Sequence, residues 1–234
     1  MFFKKNNYSQ KISQKTAKFY QEMALEFSQS RSVWWDGFNF IKKYLKGKPE
    51  ILDFGCGNGR LIDYLYQEKN QEFDYLGVDN SAKMIQLAQK RYPTHQFLTI
   101  NSGSELEKLG KKFDLVFSIA VFHHFNKEMA KQTLADFMKV LKKEGLVIVS
   151  VWHLWQKKYL KNLLQSNLGG NWGFWADIPF KKGNKEAVRP CYFWTLRSLE
   201  KVFLQNGFEI IEKGYTSDKR GKKRNLFLVA KLVS

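Results

Sequence analysis

The run Glu50-Ile51-Leu52-Asp53-Phe54-Gly55-Cys56-Gly57-Asn58-Gly59 constrains this chain more than any other stretch. Apolar Ile51, Leu52 and Phe54 predict a strand over 50–54, and Gly55-x-Gly57-x-Gly59 follows it directly. Three glycines at alternate positions let a backbone turn sharply and approach a ligand that any Cβ would hold off. A helix predicted near 59–68 would then offer free N–H groups to a polar or anionic end of that ligand. Taken alone, the glycine pattern also fits other nucleotide loops and plain tight turns. Asp79 narrows it. This residue ends a second strand, Tyr75-Leu76-Gly77-Val78, about 20 positions on, where a carboxylate can accept both hydroxyls of a ribose.

The alternation continues beyond that unit. Strands are predicted at 50–54, 74–78, 96–100, 113–118 and 145–152, and helices near 59–68, 81–91 and 127–142. Strands alternating with helices at this pitch argue an α/β fold with a parallel sheet. Residues 1–45 read as a helical cap, from Ala17, Tyr20, Ala24 and Phe27 at helix spacing, then Phe38, Ile41 and Leu45. Residues 46–152 form the core, and 153–194 read as an aromatic and basic insertion, partly helical at 154–165. Residues 195–234 supply a helix at 195–206 and strands at 208–213 and 225–232, joined by the loop Asp218-Lys219-Arg220-Gly221-Lys222-Lys223-Arg224. At 234 residues the chain reads as a single domain.

Charge sets the expected partners. With 39 Lys and Arg against 22 Asp and Glu, the net charge of +17 attracts polyanions, nucleic acid before acidic membrane. Residues 151–234 hold 16 of the basic and 6 of the acidic residues, so most of the excess lies beyond the core. No apolar run reaches the roughly 18 residues of a membrane span. Met1-Phe2-Phe3-Lys4-Lys5 lacks the apolar stretch of a signal peptide, so a cytoplasmic location is expected. Cys56 and Cys191 are far apart and form neither a metal pair nor a disulfide framework, so no metal is expected.

The order Asp53-x-Gly55-x-Gly57-x-Gly59 differs from the G-x-G-x-x-G of dinucleotide folds. It resembles the first motif of the class I S-adenosylmethionine-dependent methyltransferases, and Val78-Asp79-Asn80-Ser81 with Met84 resembles their second. A narrower resemblance rests on Ser118-Ile119-Ala120-Val121-Phe122-His123-His124-Phe125 and Val149-Ser150-Val151-Trp152. Ala24-x-x-Phe27-Ser28-x-x-Arg31-x-x-x-Trp35 adds to it, as do Arg189, Leu199, Asn206-Gly207-Phe208, Asn225 and Lys231. These elements are similar to the tRNA wobble-uridine carboxymethyl methyltransferases, which esterify 5-carboxymethyluridine in the anticodon loop. Tyr192 stands where that family usually has His, Leu226 where it has Trp, and Asn101-Ser102 where Asp-Ala is common.

The resemblance implies a Rossmann-like fold: a seven-stranded, mostly parallel sheet with helices on both faces and an antiparallel last strand. It implies S-adenosylmethionine as cofactor and tRNA as substrate. Eukaryotic members work with a small zinc-binding activator subunit, and the sequence leaves open whether this chain needs one. By the same resemblance Asp53, Gly55, Gly57 and Gly59 meet the methionine part of the cofactor, and Asp79 the ribose. Asn80 or Met84 lies beside the adenine, Asn101 and the Ser102 N–H meet its edge, and Ser118 and Ala120 complete the cofactor set. Arg31 would clamp the cofactor carboxylate or a substrate anion, the plain alternative being a surface charge. His123 and His124 follow the fourth strand at the ligand-binding sheet edge, as catalytic candidates or as packed histidines. Trp35, Trp152, Arg189 and Tyr192 fall on the substrate side; Trp34 with Trp35, and Trp172, Trp175 and Trp194, could stack an unpaired base or fill core. Lys219, Arg220, Lys222, Lys223 and Arg224 are the phosphate-contact candidates, against a solvated hairpin tip. A carboxylate acceptor is already ionised at neutral pH and needs no strong base. The competing readings are a small-molecule O- or N-methyltransferase with incidental charge, and a binding protein without turnover.

Overall fold

A computed structural model of the protein describes residues 2–30, 37–68, 72–168 and 173–233. Arg31, Trp34, Trp35 and Trp172 lie outside the described residues. The chain opens with α1 (Phe2–Glu22), α2 (Ala24–Gln29) and a 3₁₀ turn, Asn39–Tyr44. The alternating core follows: β1 (Glu50–Phe54), α3 (Leu61–Glu68), β2 (Asp74–Asp79), α4 (Ala82–Arg91), β3 (Gln96–Thr99), β4 (Phe113–Ile119), α5 (Lys127–Val140) and β5 (Leu141–Trp152). Then come α6 (Lys157–Leu168), the hairpin β6 (Trp175–Lys182) and β7 (Lys185–Tyr192), α7 (Leu196–Leu204), β8 (Phe208–Ser217) and β9 (Lys223–Leu232).

Seven strands form one sheet in the order β3-β2-β1-β4-β5-β9-β8. The first five are parallel, and β9 enters antiparallel between β5 and β8. This is the class I methyltransferase arrangement, as expected. Alternation along each strand divides the core between the two faces. Leu52, Val116 and Val147 pack towards Phe137 of α5 and Phe203 of α7. Ile51, Leu115 and Ile148 pack on the other face towards Ile62 and Leu65 of α3 and Ile85 of α4. Both faces are therefore covered, and the buried parallel strands read as near-continuous apolar runs.

Helix starts follow local chemistry. Ser81 caps α4 by accepting the Met84 N–H, Asn126 caps α5 through the Met129 N–H, and Thr195 caps α7 through the Ser198 N–H. The insertion departs from expectation. The helix sits at 157–168 rather than 154–165, and β6 and β7 form a two-stranded sheet that the sequence did not announce. Its inner residues Ala176, Ile178, Cys191 and Phe193 form a third small core with Leu154 and Leu163. The strand after α5 begins at Leu141, directly on the helix end, rather than at Gly145.

Candidate active site

The glycine loop lies at the C-terminal end of the parallel strands, where such sheets bind ligands. Gly55 has φ +77°, and a Cβ there would fall 2.4 Å from Val121 Cγ2, so only glycine fits. The Gly55 and Cys56 N–H groups donate to Val78 O at 2.8 and 3.0 Å, which pins the loop to the end of β2. Asp79 Oδ2 accepts the Gly57 N–H at 2.9 Å, and Oδ1 accepts the Ser81 N–H at 2.9 Å. Burial raises the Asp79 pKa, partly opposed by these backbone donors. With Asn80 as a third backbone donor, the carboxylate still keeps lone-pair capacity for a ribose hydroxyl.

The loop opens on a cavity of about 1720 Å³. Asp53, Gly55, Gly57, Asp79, Asn80, Met84, Asn101, Ser102 and Ala120 of the expected cofactor set all line it. Burial, with Asp79 nearby, pushes the Asp53 carboxyl up to about 7, although the Tyr75 O–H donates to it at 2.8 Å and Arg60 favours its charged form. The Ser102 N–H is committed elsewhere: it and the Asn101 N–H donate to Glu105 Oε1 at 3.1 and 2.8 Å, capping the turn Gly103–Leu109. Gly59 and Ser118 need correction: Gly59 does not line the cavity, a Cβ there meeting the Tyr92 ring at 2.9 Å, and Ser118 is fully buried inside β4 and does not reach the cavity. Ile119 and Ala120 reach it instead. Ala120 has φ +60°, the one positive φ of a non-glycine residue among the described residues, and its N–H is held by Ser150 O at 3.0 Å. Such strain concentrates where a site demands it.

Aromatic rings and one buried cation make the other end. Buried His124 Nδ1 lies 2.9 Å from Pro190 O, so it carries the proton, and Nε2 accepts the Tyr20 O–H at 2.9 Å. Burial pushes the His124 pKa down to about 3, with the charge of Arg189 adding to the effect and the Pro190 bond opposing it. A neutral imidazole with both nitrogens engaged ties α1 to β7 and is not a general base. His123 is fully buried outside the cavity and stacks on Trp152, ring centroids 4.6 Å apart. The donor atoms of His123, His124 and Cys191 lie within 4.8 Å of one another. The engaged His124 nitrogens and the neighbouring guanidinium of Arg189 make this cluster a poor receptor for a cation.

Arg189, on β7, is 3 % exposed, and its Nε and Nη1 are buried without a hydrogen-bond partner among the described residues. Its guanidinium carbon lies 4.3 Å from the Trp152 ring centroid, 5.1 Å from Phe19, 5.4 Å from Phe27 and 5.6 Å from Phe180. Ring faces attract the cation but offer no acceptor to its N–H groups. Trp152, Phe27 and His124 line the cavity, so Arg189 stands directly behind its wall. Tyr192 also lines it, while Trp194 is core: its Nε1–H donates to Phe122 O at 2.8 Å.

Sequence reasoning missed Asn58, Arg60, Tyr20 and Phe174 as lining residues. A charge directly after the third glycine, where α3 should begin apolar, was the available signal for Arg60. Asn58 Nδ2 donates to Ser28 Oγ at 2.9 Å, fastening α2 to the glycine loop.

The basic turn between β8 and β9 lies on the same sheet edge, because Asn225 pairs with Trp152 at the end of β5. Asp218 organises it, accepting from the Arg220 N–H at 3.0 Å, the Lys222 N–H at 2.9 Å and Arg224 Nε at 2.8 Å. Lys223 lies 4.4 Å over the Tyr215 ring. The side chains of Lys219, Arg220 and Lys222 are exposed and make no ion pair among the described residues.

Comparison with known proteins adds the following. A family model described as "Methyltransferase domain" matches residues 51–145. A tRNA (carboxymethyluridine(34)-5-O)-methyltransferase of Schizosaccharomyces pombe is 32% identical over 142 residues, 59% of this chain and 57% of that protein. The chain thus matches only about half the length of its first curated relatives. Among solved structures, an S-adenosylmethionine-dependent methyltransferase of Methanosarcina mazei aligns with TM-score 0.68 at 18% identity, covering 85% of this chain and 99% of that one. A chain from the complex of the Haloferax volcanii Trm112 methyltransferase activator with a methyltransferase aligns with TM-score 0.66 at 14% identity, covering 94% of this chain and 98% of that one. These likenesses agree with the sheet order and the glycine loop. Residues 51–145 match a methyltransferase domain, and the fold is the one these solved methyltransferase structures share.

Proposed function

We propose that the protein is an S-adenosylmethionine-dependent methyltransferase that esterifies the carboxymethyl group of a modified wobble uridine in tRNA. One observation carries the reading: a single cavity joins a nucleoside cradle to an aromatic end backed by a buried, under-bonded guanidinium. The cradle suits the cofactor, since Gly55 and Gly57 line it without a Cβ and Asp79, also in its lining, would accept ribose hydroxyls. Asn80, Met84 and Asn101 would flank the adenine. Arg31 remains the candidate clamp for a carboxylate.

When bound, S-adenosylmethionine supplies a methyl group on a positively charged sulfonium. With the cofactor held by the glycine loop and Asp79, its methyl would pass to a carboxylate oxygen, a C–O bond replacing the C–S bond and sulfur keeping the electron pair. No proton leaves the acceptor, which matches a site whose histidine is held neutral and engaged. What the chain supplies is proximity and orientation. In a poorly hydrated interior, the Arg189 charge draws a carboxylate to the aromatic end and compensates its own burial. The exposed Lys219, Arg220 and Lys222 meet the phosphate backbone on the same edge, with the +17 net charge behind them. A small activator subunit is the further partner in this reading. The edge strand β3 is open, and its Leu98 is 42% exposed.

Incubation with labelled cofactor and tRNA from cells unable to complete wobble-uridine esters tests the reading, followed by nucleoside digestion and mass analysis. A methyl ester on 5-carboxymethyluridine is expected. Confirmed cofactor binding with no ester, both alone and with an added activator subunit, would reject this acceptor.

A further inference from the structure

The tryptophans of the insertion suggest themselves as base-stacking groups, yet among the described residues the large apolar ring that lines the cavity and stays exposed is a phenylalanine. Phe174 is 47% exposed and, among the described residues, is the one exposed large apolar side chain that lines the cavity. Its place is fixed by backbone geometry: the Phe193 N–H donates to Phe174 O at 2.7 Å, joining the entry of β6 to the exit of β7. Its ring meets Tyr192 edge-on at 6.0 Å and Trp155 at 6.0 Å. Tyr192 is itself buttressed by Trp175 at 5.4 Å and Trp194 at 5.0 Å. One ring of this ladder is thus presented to solvent, while those behind it hold it in place.

We propose that Phe174, supported by Tyr192, forms a nucleobase-binding subsite: a platform on which the pyrimidine of the acceptor nucleotide stacks while its acidic substituent reaches towards Arg189. The inference rests on the function proposed above and adds the group that holds the base. One observation and two general physical arguments favour an unpaired base. An exposed aromatic ring gains by covering its face, and a flat π-system covers it best. The mouth lies on the same edge as the basic turn at Asp218–Arg224, so a strand bound there by its phosphates brings its bases to the rim. Single-stranded RNA is read by stacking on aromatic side chains rather than through a groove.

A thermodynamic cycle tests the platform independently of turnover. The probes are an anticodon stem-loop with 5-carboxymethyluridine at its first anticodon position and the same stem-loop with an abasic residue there. Each is bound to the full chain and to its Phe174→Ala, Phe174→Leu and Phe174→Trp variants at one fixed salt concentration. For the wild type, deleting the base weakens binding by on the order of 10-fold or more. In Phe174→Ala that sensitivity disappears. Phe174→Trp restores it and Phe174→Leu does not, because leucine keeps apolar area but no π face. Cofactor affinity is unchanged throughout, which shows that the variants are folded. Equal sensitivity to base deletion in wild type and Phe174→Ala overturns the platform, as does full rescue by Phe174→Leu. Absence of ester formation by the wild type overturns instead the reaction assigned above, and the binding cycle still decides the fate of the platform.

Discussion

The two ends of the cavity are built by different means. The cradle end comes from a short span of chain, Asp53 to Ser102, and works mostly through backbone: glycine dihedrals, N–H groups and the carboxylate of Asp79 that gathers them. The aromatic end draws Phe19, Tyr20 and Phe27 from the N-terminal helices, His124 from the turn after β4, Trp152 from the end of β5, and Phe180, Arg189 and Tyr192 from the insertion. A cofactor shared by many enzymes can be held by local backbone chemistry. A particular acceptor needs side chains collected from distant segments, and the buried Arg189 shows how costly such a collection is to the resting fold.

That contrast can be broken first at Arg189. Arg189→Met is expected to lower kcat/KM for the proposed carboxylate acceptor by on the order of 100-fold or more, since losing one partner of a buried charge pair costs about 2–5 kcal/mol. Cofactor affinity should hold, and Tm should stay level or rise, because a buried cation with too few acceptors gives way to an apolar chain of similar length. A Tm drop with undiminished turnover would show that the guanidinium serves packing alone.

The cradle is tested by Gly55→Ala. A non-glycine residue at φ +77° carries about 1–3 kcal/mol of strain, and the added methyl meets Val121 at 2.4 Å. Calorimetric titration should show cofactor affinity reduced by about 10-fold to 100-fold, again taking about 1.4 kcal/mol per tenfold. Unchanged affinity would remove the glycine loop from the binding site.

The smallest effect sharpens the link between the two ends. His124 has its pKa lowered to about 3 in the fold, against about 6.5 for a free histidine. Between those values the unfolded chain binds the extra proton, so stability is present above about pH 6.5 and declines as pH falls towards 3. The slope contributed is at most about 1.4 kcal/mol per pH unit. Asp53, raised to about 7, acts with the opposite sign: its contribution is full at low pH and is lost as pH rises through 7. Comparing the pH slope of denaturant midpoints for wild type and His124→Gln isolates the histidine. Parallel slopes would mean that the Tyr20–His124–Pro190 chain is not held neutral.

Much of this molecule could be read before folding. The strand-helix alternation, the glycine loop and Asp79 are encoded in short windows, because dihedral demands and apolar periodicity act between near neighbours, whereas the antiparallel ending was implied only by the family resemblance. Arg189 and Trp152 were legible only through resemblance, since nothing near them in sequence says that one lies 4.3 Å from the other. The tryptophan count misled at Trp194, whose indole N–H is spent on the carbonyls of Phe122 and Phe125 in the core. His123 and His124 looked equivalent in sequence, yet one stacks on Trp152 and the other is clamped between Tyr20 and Pro190.

The sequence by itself determined the sheet, the cradle and the excess of positive charge, since these follow from local backbone preference and composition. Only the tertiary structure decided which aromatic ring lines the cavity yet stays exposed, which histidine is clamped through both ring nitrogens, and which arginine keeps two buried nitrogens without an acceptor among the described residues. Burial and hydrogen-bond completion are properties of what surrounds a side chain, and those surroundings come from segments more than a hundred residues apart, as in the bond from Tyr20 to His124.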